Sequence, residues 1–342
     1  MTRRLVVDLA SPLAAWRVPG TAVAAIRETL GRGWEVVEVA APAASDSDGG
    51  SDTPEAAAAA RGAEIYLGYG VPAGVVAAGR GTLRWAHSGT AGVGASVPRL
   101  TGTGIVLTNS GGVHAEPIAD WVIAAIAYFA RALDRMRERQ AAEQWARAEF
   151  AGLEVPVREL AELRLGVFGV GGIGGAIARR GVALGMSVAG VRRHPERGGP
   201  PGVRWVGGAA DLPRLAAESD CFVIAAPHTE ETRGAVSRDV LARLPGDAIV
   251  VNVSRGTLLD ETALLDLLDA SRLRGAALDV FAVEPLPAGH PCWRHPRVLV
   301  SPHVAAVTTR FWERETALIV ENIRRYLAGA PLVNVVDLEA GY

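Results

Sequence analysis

Three polar residues each follow an apolar run. Arg255 comes after AIVVNVS, Glu284 after GAALDVFAV and His303 after VLVSP. Apolar runs of this length, bounded by turn residues, read as buried strands. In an open sheet of parallel strands the carboxyl ends converge on one crevice, where ligands bind. Such a crevice would hold a planar cation, a carboxylate and an imidazole. An arginine fork grips a carboxylate and polarises an adjacent carbonyl. An imidazole delivers a proton near neutral pH, and a carboxylate beside it orients the ring and holds its proton. This is the set needed to reduce a 2-keto acid with a nicotinamide. Taken singly each residue has a plainer reading: a surface arginine at a helix start, a solvated turn glutamate before Pro285, a loop histidine.

The second chemical element is Leu165–Gly185, LGVFGVGGIGGAIARRGVALG. An apolar run enters Gly169-x-Gly171-x-x-Gly174, and Ile173, Ile177, Val182 and Leu184 follow at helical spacing. Strand, tight turn and helix in that order make the dinucleotide-binding fingerprint. The first glycine permits the turn, the second lets backbone approach a pyrophosphate, and the third lets helix pack on strand. The helix start then offers N–H groups and a positive dipole end to the phosphates. A carboxylate about 20 residues past the glycines would select NAD through the ribose hydroxyls. Arg192 and Arg193 stand there instead. Their guanidinium groups favour a 2′-phosphate, and so NADP(H) over NAD(H).

The elements that must position these residues are legible along the chain. Before residue 110 the expected strands are Arg4–Leu9, Trp34–Val39, Ile65–Leu67, Leu83–His87 and Ile105–Leu107. Helices are expected over Thr21–Leu30, after Pro54, and over Pro72–Ala78, with a surface loop over 45–51. Pro117–Arg137 reads as one long helix with proline in its first turn, and 131–144 as a solvated mixed-charge face. From 165 to 303 six or more strand units alternate with helices, including Arg238–Leu244 and Glu261–Ala270. One strand is read over Gly275–Val280, with Asp279 near its end. A last helix is expected over Phe311–Leu327. The alternation indicates α/β architecture with parallel sheets. The small-residue loop Ser88–Gly94 follows directly on a strand, where backbone N–H groups can face a ligand.

Bulk properties narrow the function classes. The 342 residues suffice for about two domains. A net charge of −2 gives no global attraction to nucleic acid or to a membrane surface. No apolar run approaches the ~18 residues of a membrane span. The N-terminus reads as a first strand and not as a signal peptide. Cys221 and Cys292 have neither metal nor redox spacing and read as thiols in a reducing cytoplasm. No metal site is expected.

Several segments together resemble the D-isomer-specific 2-hydroxyacid dehydrogenase family. They are Gly169–Gly174, Val251–Gly256, Ala277–Phe281 with Glu284-Pro285, and Ser301–Ala305, with Ser88–Gly94 and Asn109–Pro117 in support. The resemblance implies a doubly wound (Rossmann) cofactor domain, 110–306, inserted into a smaller flavodoxin-like α/β substrate domain, 1–109 and 307–342. It implies that Arg255 binds substrate, that His303 is the acid/base and that Glu284 pairs with it. Backbone amides of Ala91, Gly92 and Val93 would hold the carboxylate. Gly169, Gly171, Gly172, Ile173, Gly174, Arg192, Arg193, Pro227, Thr232, Val253 and Asp279 would line the cofactor, with Thr232 and Ile173 near the pyrophosphate and Asp279 at the nicotinamide carboxamide. A small 2-keto acid such as glyoxylate or hydroxypyruvate is the implied substrate, and a homodimer through the long helix the implied assembly. Gly94 departs from the family, where many members carry Asp. Phe311, Trp312 and Arg314 either pack the last helix or shape a pocket. A non-catalytic nicotinamide-binding corepressor and a phosphoglycerate dehydrogenase-like enzyme are the competing possibilities. The intact Arg255, Glu284 and His303 weigh against the first. Glu284 also weighs against a formate dehydrogenase, which carries glutamine before its histidine.

Overall fold

The computed structural model describes residues 2–43, 48–49 and 52–341. The chain forms two compact units. Unit 1 comprises Met1–His114 and Val307–Tyr342, and unit 2 comprises Ala115–Ala306. The units thus divide after His114, five residues beyond the boundary expected at 109.

The first part of unit 1 runs β1 (Arg3–Asp8), α1 (Gly20–Leu30), β2 (Trp34–Glu38), α2 (Pro54–Ala60), β3 (Ile65–Gly68), α3 (Ala73–Ala78), β4 (Trp85–Ser88), α4 (Val97–Leu100) and β5 (Val106–Asn109). All strand pairs are parallel, in the order β2-β1-β3-β4-β5. This is the flavodoxin-like order. Side chains alternate across the sheet, as strand geometry requires. Leu5, Val7, Ile65, Leu67 and Trp85 belong to one core layer, and Val6, Tyr66 and Ala86 to the other. The loop expected over 45–51 lies for the most part outside the described residues. Asp48 and Gly49 form a turn there, and the Asp48 carboxylate accepts from Ala95 N and Ser96 N at 2.6 and 3.0 Å.

Unit 2 runs α5 (Ala115–Ala130), α6 (Leu133–Ala141), α7 (Arg147–Ala151), β6 (Arg164–Phe168), α8 (Gly172–Ala183), β7 (Ser187–Val191), β8 (Trp205–Gly207), α9 (Leu212–Ala217), β9 (Cys221–Ile224), α10 (Arg238–Leu241), β10 (Ala248–Asn252), α11 (Glu261–Asp269), β11 (Leu273–Leu278) and β12 (Val298–Val300). Its parallel sheet has the order β12-β11-β10-β9-β6-β7-β8. Counted from β6 this is the doubly wound order 3-2-1-4-5-6 with one strand added, and its switch point lies between β6 and β9. Both faces are covered: α5 and α8 contribute to one core layer, and α9, α10 and α11 to the other. The chain then re-enters unit 1 as α12 (Phe311–Leu327), which packs Ile319 and Ile323 with Ile26 and Leu30 of α1 beside β1 and β3.

The long helix expected over Pro117–Arg137 is a correction: it is two helices, α5 and α6. Ala132 between them adopts φ 53°, in the left-handed region, which costs an alanine about 1 kcal/mol. The turn brings Asp134 to a two-pronged ion pair with Arg274, at 2.8 and 2.6 Å, both residues buried. The run 131–144 is therefore not wholly solvated, because Asp134 leaves that face to meet a buried cation. Two smaller differences are that α10 ends at Leu241 and that β11 spans Leu273–Leu278, so Asp279 follows the strand. No helix among the described residues is long and apolar enough to cross a membrane.

Candidate active site

The glycine loop joins β6 to α8. Gly169 has φ 105°, and a Cβ there would lie 2.3 Å from Ala226 N. A Cβ on Gly174 would lie 2.0 Å from the Gly169 carbonyl oxygen. Both positions exclude any side chain. A Cβ on Gly171 would meet nothing within 4 Å. The first and third glycines are thus held by close packing, while the second leaves backbone open to an approaching group. Gly172 is exposed and Ile173 half-buried at the first turn of α8, where helix N–H groups lack intrahelical acceptors. These residues fit a pyrophosphate.

Arg192 and Arg193 follow β7. Arg192 is half-buried; its backbone N–H donates to Gly207 O at 3.0 Å and its Nη1 to Gly198 O at 2.9 Å. That second bond fixes the guanidinium at the strand end. Arg193 is exposed. In the loop after β9, Thr232 Oγ1 donates to Pro227 O at 2.6 Å and accepts from Thr229 N at 2.8 Å. The Thr232 hydroxyl therefore closes its own loop. Val253 is buried, and its N–H donates to Ile224 O at 3.2 Å.

Glu284 and His303 meet directly: His303 Nδ1 and Glu284 Oε2 are 2.8 Å apart. A carboxylate accepts only, so Nδ1 carries the hydrogen of this bond. Nε2 is then the ring atom left for proton exchange. Glu284 Oε1 accepts from Phe281 N at 2.9 Å, which fixes the carboxylate from behind. His303 has φ 57°, so the backbone itself turns sharply at the imidazole.

Asp279 holds that turn. Its carboxylate is buried and accepts from Ser301 Oγ at 2.5 Å, from Val304 N at 2.8 Å and from Ala305 N at 3.1 and 3.0 Å. A side chain expected at the nicotinamide carboxamide is thus engaged on both sides of His303, and three of its four bonds fall on Oδ1. Sequence reasoning missed this positioning role.

Arg255 follows β10 and is exposed. It makes no hydrogen bond to Glu284 or His303; its Nη1 donates to Ser254 O at 2.7 Å. Its loop is set by Asn252, which is fully buried, accepts from Ser254 N at 3.0 Å and donates to Arg255 O at 3.1 Å. A Cβ on Gly256 would lie 1.9 Å from the Phe281 carbonyl carbon. The Arg255 loop therefore packs on the segment whose Phe281 N–H holds Glu284. Strands β10, β11 and β12 are parallel neighbours, so the three residues emerge at one edge of the sheet. Asn252 and Gly256 were legible only as motif letters. A polar residue closing an apolar strand, and a glycine after an arginine, were the available signals.

In unit 1 the loop Ala91–Val93 leaves β4. The Ala91 carbonyl accepts from Asn109 Nδ2 at 2.8 Å and the Gly92 carbonyl from Thr90 Oγ1 at 2.7 Å. In a trans peptide the N–H points opposite to the carbonyl it follows. The Gly92 and Val93 N–H groups therefore face away from these partners. A Cβ on Gly94 would meet nothing within 4 Å. Among the described residues no group of His, Cys, Asp and Glu side chains could hold a metal ion.

The model of the D-isomer specific 2-hydroxyacid dehydrogenase NAD-binding domain matches residues 123–305. A glyoxylate/hydroxypyruvate reductase A of Yersinia enterocolitica is 31% identical over 258 residues, covering 75% of each protein. A D-isomer specific 2-hydroxyacid dehydrogenase of Xanthobacter autotrophicus, solved with NADPH and MES, superposes with a TM-score of 0.79 at 30% identity over the whole of both chains. An NADPH-dependent glyoxylate/hydroxypyruvate reductase of Sinorhizobium meliloti, solved with NADP and sulfate, gives 0.76 at 25% identity, covering 99% of this chain and all of that one.

Proposed function

The chain belongs to the D-isomer specific 2-hydroxyacid dehydrogenase family, and from that premise we propose that it reduces a small 2-keto acid, such as glyoxylate or hydroxypyruvate, to the D-2-hydroxy acid. The observation that carries this is the His303–Glu284 pair, with Arg255 on a neighbouring strand end, in the unit that holds the glycine loop. Gly169, Gly171, Gly172, Ile173 and Gly174 receive the pyrophosphate, with Pro227, Thr232, Val253 and Asp279 along the rest of the cofactor. A reduced nicotinamide bound there supplies a hydride equivalent. Arg255 pairs with the substrate carboxylate and draws charge from the keto oxygen. In unit 1, the N–H groups around Ala91, Gly92 and Val93 are the proposed contacts of a substrate carboxylate. The His303 imidazolium, stabilised through Nδ1 by Glu284, gives its Nε2 proton to the keto oxygen.

NADP(H) is the proposed cofactor. Arg192 is fixed at the end of β7, and Arg193 beside it adds a second cation where a ribose-binding carboxylate would otherwise stand. With hydroxypyruvate as substrate, kcat/KM is expected to be higher with NADPH than with NADH, and Arg192→Asp to move the ratio toward NADH. A wild-type preference for NADH rejects the assignment. The working assembly is a homodimer. Supporting this, Leu133, Met136, Trp145 and Leu153 expose apolar surface close together along the chain, with Trp145 93% exposed. Light scattering is expected to give twice the chain mass, and a monomer contradicts it. We place the enzyme in the cytoplasm, in keeping with its two free, buried thiols. Fractionation of cells producing it checks this, and recovery with the membranes or outside the cell refutes it.

A further inference from the structure

Glu261 opens α11, a short way along the chain from Arg255 and in the same unit. An acid in the first turn of a helix ordinarily answers the helix dipole. This helix start is already closed by Asp260, whose carboxylate accepts from Ala263 N at 2.9 Å. Glu261 reaches out of its helix instead, and its Oε1 accepts from Ala282 N at 2.8 Å. Its Oε2 lies 3.9 Å from His290 Nε2. His290 Nδ1 accepts from Cys292 N at 3.4 Å, so Nε2 is the nitrogen that bears hydrogen. The same ring meets Phe281 edge-on, with centroids 6.3 Å apart.

The peptide that Glu261 holds, between Phe281 and Ala282, sits between two parts of the site. A Cβ on Gly256 would lie 1.9 Å from the Phe281 carbonyl carbon and 2.1 Å from Ala282 N, so the residue after Arg255 packs directly on this peptide. On the other side, Glu284 Oε1 accepts from Phe281 N at 2.9 Å, and Glu284 Oε2 meets His303 Nδ1. Ala282, Val283, Glu284 and Pro285 are exposed, so hydrogen bonds hold this segment more than burial does. The link from Arg255 to Glu261 is stiff by contrast. Leu258 N donates to Arg255 O at 3.3 Å, Leu259 N to Gly256 O at 3.0 Å and Asp260 N to Val236 O at 3.0 Å, and Leu258 and Leu259 are buried.

A rigid turn thus carries Arg255 at one end and Glu261 at the other, and Glu261 grips the exposed segment that presents Glu284 to His303. We propose that Glu261 is a positioning residue whose bond to Ala282 sets the spacing between Arg255 and the Glu284–His303 pair. This rests on the reductase reading of the same site. Ala282 is exposed, so water can satisfy its N–H when Glu261 is removed. The loss then falls on the rate more than on the fold.

The test measures turnover of hydroxypyruvate, the cofactor dissociation constant and thermal melting. Glu261→Ala is expected to lower kcat by about tenfold to a hundredfold, an ångström of misplacement being worth the larger figure, with cofactor binding unchanged. Glu261→Gln should recover most of that loss, because its amide oxygen keeps the acceptor for Ala282 N. In a Glu284→Ala background, which has no pair left to position, adding Glu261→Ala should cost at most about twofold. If Glu261→Ala does not fold, Glu261→Asp is read in its place; it keeps the charge at the helix start and is one methylene shorter. A folded variant with wild-type kcat overturns the proposal. So does a glutamine variant as impaired as the alanine one, or a full loss in the Glu284→Ala background. A wild type that turns over no 2-keto acid overturns the reductase reading and this proposal with it.

Discussion

Replacing His303 by asparagine is expected to lower kcat by about 10³-fold, within the range a positioned general acid contributes, and to leave the cofactor dissociation constant unchanged. Asparagine is the informative choice because His303 sits at φ 57°. Asn tolerates left-handed backbone better than most other residues that carry a side chain, so the Ser301–Ala305 turn and its Asp279 bonds should survive while the imidazole is lost. His303→Ala should lose as much turnover but adds strain at the same φ. Cofactor binding measured by fluorescence titration separates the two effects. A variant with wild-type kcat would remove His303 from the chemistry.

Arg255→Met is expected to lower kcat/KM by about 10²- to 10³-fold, the loss of two charge-assisted hydrogen bonds from a bidentate contact. The ratio of kcat/KM values reads this directly as lost transition-state binding. Arg255→Lys should recover only part, since lysine keeps the charge and loses the planar fork. Full activity in the lysine variant would show that charge alone suffices. Because the Arg255 side chain is exposed and, among the described residues, bonds only the Ser254 carbonyl, neither substitution should lower the melting temperature. A large drop would reassign the arginine to structure.

The residues that proved readable in sequence share one property: their signal is local. β10 is an unbroken apolar run, and the glycine loop carries its own turn chemistry. α12 has the bounds that its apolar spacing gives, Phe311–Leu327. What was not readable depends on partners far along the chain. Asp134 looked like one charge in a solvated run, and its partner Arg274 lies 140 residues away. That pair explains the break at Ala132, which no propensity marks. Glu315 and Asn322 fall in the apolar stripe of α12. Only the fold shows that His87 and Ser110 meet the one and Val333 the other. Asp279 is the instructive case at the site. Its place after an apolar strand was visible, but its bonds to Ser301, Val304 and Ala305 were not. Strand ends mark where polar side chains emerge, and the sequence does not say which ones turn back into the backbone. Phe311 did resolve into packing, against Trp16 and His114. Trp312 and Arg314, read from sequence as packing the last helix or shaping a pocket, each carry a buried nitrogen, Nε1 and Nη2, with no hydrogen-bond partner among the described residues.

NADPH absorbance, followed after a panel of 2-keto acids is added to the purified protein, is the deciding measurement. Acid-dependent oxidation is expected with glyoxylate or hydroxypyruvate, with hydroxypyruvate yielding the D-isomer of its hydroxy acid. Tight NADPH binding with no oxidation by any member of the panel would contradict it, and would make this chain a nicotinamide-binding protein that keeps the fold without the reaction.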